Sequence, residues 1–115
     1  MILDCSKVRI FVQPGPTDMR KQINGLSIIV DEDLDMDPFE GNLFMFCNKK
    51  KRILKILYWD RNGFCLWLKR LEKDKFPWPM SRSETAEITR EQLGMLLEGI
   101  DFWNAHKKLE YSKIK

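Results

Sequence analysis

Residues 53–68 read Ile53-Leu54-Lys55-Ile56-Leu57-Tyr58-Trp59-Asp60-Arg61-Asn62-Gly63-Phe64-Cys65-Leu66-Trp67-Leu68, and this stretch decides the fold class. Two runs rich in aliphatic and aromatic residues flank Asp60-Arg61-Asn62-Gly63, which is a hairpin signature. Aspartate first and glycine fourth predict a type I turn whose glycine takes a left-handed conformation at a bulge. With Trp59 across from Phe64, Leu57 faces Leu66 and Ile56 faces Trp67. One sheet face then gathers Leu57, Trp59, Phe64 and Leu66; the other gathers Leu54, Ile56, Tyr58, Cys65 and Trp67. Both faces are apolar, whereas a solvated face of an antiparallel sheet is polar. Each must be covered by a helix, a terminal segment or another subunit.

Working outward, residues 42–47 form a third strand beside this hairpin. Near the N-terminus Val8, Ile10 and Val12 alternate on one side of a strand over residues 7–13. Pro14-Gly15-Pro16 ends it, and Thr17 or Asp18 is expected to cap a helix. Met19, Ile23, Leu26, Val30 and Leu34 recur at spacings of four and three, forming one apolar stripe. Gly25 weakens that helix by up to about 1 kcal/mol relative to alanine, and close packing against the sheet would account for it. Beyond the hairpin, Phe76-Pro77-Trp78-Pro79 reads as a stiff connector and residues 81–87 as a polar loop. Thr89 and Gln92 predict a capping box, followed by Leu93, Leu96 and Leu97 up to Gly99. The expected fold is a small α+β domain, an antiparallel β-meander packed by at least two helices. It occupies residues 1–101 as a single unit, with residues 102–115 as a C-terminal extension of some helical character.

Hydrophobic residues make up 43% of the 115 and charged residues 32%, an ordinary globular balance. The net charge of +3 tilts the chain only slightly towards polyanions, so the distribution of charge has to decide. Basic residues cluster at 49–55 and 69–75, while residues 31–37 are acidic. No apolar run approaches the roughly 20 residues that span a bilayer, and the N-terminus does not read as a secretory signal. Cys5, Cys47 and Cys65 are widely separated, which fits thiols in a reducing compartment and predicts a cytoplasmic protein.

Catalytic and metal chemistry finds little support. Cys5, Cys47, Cys65 and His106 lack the close pairing of zinc ligands. Asp31, Asp33, Asp35 and Asp37 resemble the start of a calcium loop, but Met36 and Asn42 stand where glycine and glutamate are needed. Asp18, Asp60 and Asp101 each have simpler roles as cap, turn or boundary residues than as ligands for phosphoryl transfer. No catalytic residue, metal or cofactor is expected. The candidate contacts with DNA or another anion are Lys49, Lys50, Lys51 and Arg52 at a strand-to-strand turn, Lys55 just beyond, and Arg20 with Lys21. Cations at a hairpin tip position phosphates without reading sequence; a solubilising turn is the plain alternative. Arg20 and Lys21, placed in the first helical turn, oppose the helix dipole, so local stability does not explain them. Pairing with carboxylates elsewhere is the simpler account. Trp78, held between prolines, is the candidate partner contact, with burial in its own core as the alternative.

Several ordered segments also carry a family likeness: Thr17-Asp18-Met19-Arg20-Lys21 with Gly25-Leu26, Asp37-Pro38-Phe39 with Gly41, and Leu43-Phe44-Met45-Phe46. Ile56-Leu57-Tyr58-Trp59-Asp60 with Gly63, Lys69-Arg70-Leu71-Glu72, Phe76-Pro77-Trp78-Pro79 and Leu96-Leu97-Glu98-Gly99-Ile100-Asp101 continue it. Together these resemble the TnpB-type accessory protein of the bacterial insertion-sequence 66 family, over residues 8 to about 101. Gln22-Ile23 departs from the glycine or serine followed by phenylalanine that the family commonly shows, and the tail beyond Asp101 is less typical. The resemblance implies a non-catalytic accessory role in DNA transposition, helping to assemble or stabilise a transposase–DNA complex. Its implied partners are the element-encoded transposase and a further accessory protein. An independent DNA-binding module and a homodimeric protein adaptor are the alternatives, and an auxiliary metal-dependent hydrolase is a third.

Overall fold

The computed structural model describes residues 8–80 and 85–103. Cys5, His106, residues 81–84 of the polar stretch and the extension beyond Trp103 lie outside the described residues. The elements are β1 (Ile10–Val12), α1 (Ile23–Ile28) running into a π-helical turn (Ile29–Asp33), β2 (Leu43–Cys47), β3 (Ile53–Asp60), β4 (Gly63–Arg70), β5 (Ala86–Ile88) and α2 (Arg90–Leu97). The strands form one sheet in the order β4-β3-β2-β1-β5.

β2, β3 and β4 make the antiparallel meander, and the pairing of Trp59 with Phe64, Leu57 with Leu66 and Ile56 with Trp67 is as the apolar pattern requires. β1 pairs parallel with β2 across a connection that carries α1, since parallel neighbours cannot be joined by a tight turn. β5 closes the other side of β1, antiparallel. This is a mixed-sheet α+β domain with a helix on each face.

β5 lies partly within the stretch read as a polar loop. Three residues are too few to show a period, but Ala86 and Ile88 are buried while Glu87 points out. Glu87 takes the guanidinium of Arg9 on both carboxylate oxygens, at 3.0 and 2.7 Å. The hairpin turn also differs from expectation. Gly63 is an ordinary strand residue paired with Asp60, and the left-handed backbone is at Arg61, with φ +54°. The connection is a two-residue loop, and such loops match the strand twist only with φ positive at the first central residue.

The sheet faces account for the double apolar pattern. Beneath α1, Leu26 and Val30 pack on Phe11, Phe44, Phe46 and Leu57. The whole predicted stripe, including Met19, Ile23 and Leu34, belongs to this cluster. On the other face Leu93 and Leu96 of α2, with Phe76, Trp78 and Phe102, cover Ile10, Met45, Leu54 and Ile56. The chain's own helices and connectors thus cover both faces of the strands inboard of β4, while β4 at the sheet edge is only half-buried and its Leu68 is exposed. Burying each large aliphatic or aromatic side chain contributes roughly 1.5–3 kcal/mol.

Thr17 and Asp18 do not cap α1. The Thr17 amide donates to the carbonyl of Cys47 at 2.8 Å, and the helix starts four residues further on, after Gln22, with no side-chain cap. Gly25 answers to the stem of Lys21 rather than to the sheet, because a β-carbon there would stand 3.1 Å from Lys21 Cβ. α2 behaves as predicted. The Gln92 amide donates to Thr89 Oγ1 at 3.1 Å and the Thr89 amide to Gln92 Oε1 at 2.9 Å. At its end Gly99 is left-handed (φ +83°), with the Ile100 amide donating to Met95 O and the Gly99 amide to Leu96 O. That is a Schellman closure.

Candidate nucleic-acid interface

The parallel pairing of β1 and β2 sends both strands out at the same end of the sheet, where β3 begins and β4 ends. Three connections meet there: residues 13–22, the β2–β3 turn at 48–52, and the segment after β4. The turn is built by Asn48, whose side-chain oxygen accepts from the amides of Arg52 and Ile53 at 2.9 and 3.0 Å. Lys51 closes it with a left-handed backbone, φ +62°, a position where glycine is usual. The segment after β4 is strapped onto this turn. The Leu71 amide donates to Arg52 O at 2.8 Å and the Phe76 amide to Lys51 O at 2.7 Å.

These bonds bring together two cationic clusters that lie about 20 residues apart in the sequence. Segments 18–21, 49–52 and 69–75 hold ten of the 20 Lys and Arg residues, against three carboxylates. Lys49, Lys50, Lys73 and Lys75 are exposed and make no side-chain hydrogen bond or ion pair among the described residues. Arg70 is paired with Glu72 at 2.9 Å. Lys69 donates to Leu97 O at 3.0 Å, which places a cation on the carbonyl end of α2, where the helix dipole favours it.

The other candidates are placed differently. Arg20 and Lys21 precede α1 rather than sitting in its first turn. Arg20 grips Asp18 with Nη2 on Oδ2 at 2.7 Å and its own amide on Oδ1 at 2.9 Å. Hydrogen bonding from that guanidinium holds the Asp18 carboxyl down to about 2. Arg20 remains almost wholly exposed, so its outer edge still faces solvent. Lys55 is 3% exposed, and its ammonium donates to Met19 O at 2.9 Å and Lys21 O at 2.8 Å. It ties the 17–22 loop to β3 and shapes this end of the sheet from within. Its place on the α1 side of β3, two residues before the inward-facing Leu57, is the sequence signal for that burial. Trp78 is also buried, its Nε1–H shared between Gln13 O at 3.1 Å and Gly15 O at 3.2 Å.

A family model described as IS66 Orf2 like protein matches residues 8–107, from the residues before β1 to beyond α2. The chain belongs to the IS66 Orf2-like family. Two relatives in Sinorhizobium fredii (strain NBRC 101917 / NGR234) carry the names uncharacterized protein y4hO and uncharacterized protein y4jC. The first is 34% identical over 114 residues, 99% of both chains, and the second 34% identical over 101 residues, 88% of this chain and 86% of the relative. No solved structure matches the chain. Membership of the IS66 Orf2-like family implies an accessory role associated with transposition by an insertion sequence. The family consists of accessory proteins rather than known enzymes. Among the described residues of this IS66 Orf2-like domain, no three His, Cys, Asp or Glu side chains are grouped to hold a metal ion. No helix among them is long and apolar enough to cross a membrane.

Proposed function

We propose that this domain is a non-catalytic assembly factor in transposition, presenting its cationic sheet end to the phosphates of element DNA while the transposase is engaged. The observation that supports this is the strapping of the 71–76 segment onto the 48–52 turn, which merges two cationic runs into one surface. A surface of lysines on loops, without a groove-entering helix, favours backbone contacts, which give register and affinity but little sequence choice. The reading places the protein in the bacterial cytoplasm, with the element-encoded transposase as partner. α1 packs on one sheet face and α2 on the other, so the apolar pattern of the sheet does not by itself call for a second copy.

The test measures binding of the full chain to an element-end duplex, to purified transposase, and to both together, at two salt concentrations. DNA affinity is expected to fall steeply with salt, by a slope of about 0.9 per phosphate contact. Reversing charge at Lys49 and Lys50 should weaken binding uniformly across sequences and reduce that slope. Salt-independent binding, or none at low salt, removes the DNA-facing role. Absence of any ternary effect removes the assembly role.

A further inference from the structure

The opposite end of the molecule has the reverse character. Residues 31–40 contain six acidic side chains and no cation. Between α1 and the chain leading to β2 lies a concavity of about 430 Å³, lined by Ile28, Met36 and Phe39 and equally by Asp31, Asp35 and Asp37. Ile28 and Phe39 are 54% and 56% exposed, two of the four large hydrophobic residues that the described part of the chain leaves in water. Phe39 is held rather than loose. Its ring stands 5.0 Å from Trp59 in an edge-to-face arrangement and 5.2 Å from Phe64, so an apolar anchor would meet a phenylalanine ring already fixed in place. The carboxylates around it are uncompensated within the described residues, since none of the three ion pairs there involves residues 31–40. A concavity that mixes apolar side chains with carboxylates of one sign has a definite complement. Nucleic acid is repelled by it, whereas a polypeptide segment carrying Lys or Arg around an apolar residue satisfies both kinds of lining.

We infer that the concavity between Ile28 and Phe39 docks a basic segment with an aromatic or branched aliphatic anchor from a partner protein, leaving the cationic end free for DNA. That the partner is the transposase rests on the function proposed above; the chemistry of the segment does not. The test titrates overlapping peptides tiling the element's transposase, and designed basic peptides with one central Phe or Leu, against the full-length protein by fluorescence anisotropy. Binding of the designed peptides alone would overturn the transposase as partner and keep the docking chemistry. The peptides that bind should be net positive and carry an apolar anchor. Phe39→Ser should weaken them on the order of tenfold or more. Replacing Asp31, Asp35 and Asp37 by Asn should weaken them by about tenfold and flatten the salt dependence. Ile28→Ser, an exposed position, provides a second apolar variant should Phe39→Ser perturb the fold, which thermal unfolding would report. DNA binding by Phe39→Ser should be unchanged, and peptide binding by the Lys49 and Lys50 charge reversals should be unchanged, so the two surfaces fail independently. Binding of no peptide, or of acidic peptides, overturns the inference. So does indifference to both apolar variants, or Phe39-dependent self-association in sedimentation, which would put a second copy in the site.

Discussion

Replacing Lys55 by Met tests whether this lysine organises the cationic end or forms part of its outer surface. Methionine keeps the length of the stem and removes the ammonium. The wild-type group donates to two carbonyls, Met19 O and Lys21 O, and only 3% of the residue is exposed. Hydrogen bonds involving a charged partner contribute about 1.5–3 kcal/mol each. Against this, removing the ammonium returns a desolvation cost of several kcal/mol. The net loss expected is about 1–3 kcal/mol, less than the sum of the two bonds because of that return. At about 4 °C per kcal/mol for a domain near this size, Tm should fall by roughly 4–12 °C. The loss should also be local: the Lys21 amide, which donates to Asp18 O at 3.1 Å, should exchange faster with deuterium as the 17–22 loop loosens. Two results refute the reasoning. One is wild-type stability with unchanged exchange at Lys21. The other is unchanged stability together with a DNA salt slope reduced by about 0.9, which would make Lys55 a direct phosphate contact.

Other predictions follow from the same geometry. The Asp18 carboxyl, held by Arg20 at about 2 against an ordinary 3.8, adds stability that is complete above the ordinary value and is lost as pH falls through about 2. A carboxyl-carbon NMR titration should show that low midpoint, and Arg20→Leu should move it up towards 3.8; a wild-type midpoint near 3.8 refutes the pairing. Burial pushes the Cys47 thiol up to about 12, so iodoacetamide at neutral pH should modify the half-buried Cys65 before Cys47 and reach Cys47 only on unfolding. Peptide mapping over time reads the order, and equal rates would show that β2 is not sealed. Gly63→Ala should stabilise by about 0.4–1 kcal/mol, because Gly63 has neither a left-handed backbone nor any atom within 4 Å of an added β-carbon. Destabilisation by more than about 1 kcal/mol in urea unfolding would restore the bulge expected from the sequence.

Much of the fold was legible because it depends on local pattern. The pairing across Asp60 and Gly63, the stripe from Met19 to Leu34 and the Thr89–Gln92 box are all fixed by residues within a few positions of one another. The parallel pairing of β1 with β2 is not local, and β5 is too short to show a period; both depend on partners 33 or more residues away. At the turn the Asp-x-x-Gly pattern points to a positive φ at Gly63, whereas the two-residue loop requires it at Arg61. For the candidate surface, charge runs at 49–52 and 69–75 were visible, but their union rests on backbone bonds to Lys51 and Arg52 that no composition reveals. Residue type alone makes Lys55 and Trp78 candidate contacts, whereas their burial depends on which face of the fold they occupy.

The position of β1 has a consequence for how the chain acquires its structure during synthesis. Ile10 pairs with Leu43 on one side and with Ile88 on the other. A strand near the start of the chain must therefore wait, unpaired, while the residues that complete it emerge. The β2–β3–β4 meander needs only residues 43–70 and closes through short loops, so it has the lower entropic threshold. Stopped-flow chevrons should accordingly show substitutions in the meander slowing refolding, and substitutions in β5 mainly hastening unfolding. The reverse pattern would mean that the long-range clasp forms first. If the meander leads, the last step of folding is a latch, in which β5 and α2 arrive to seal the strand that was made first.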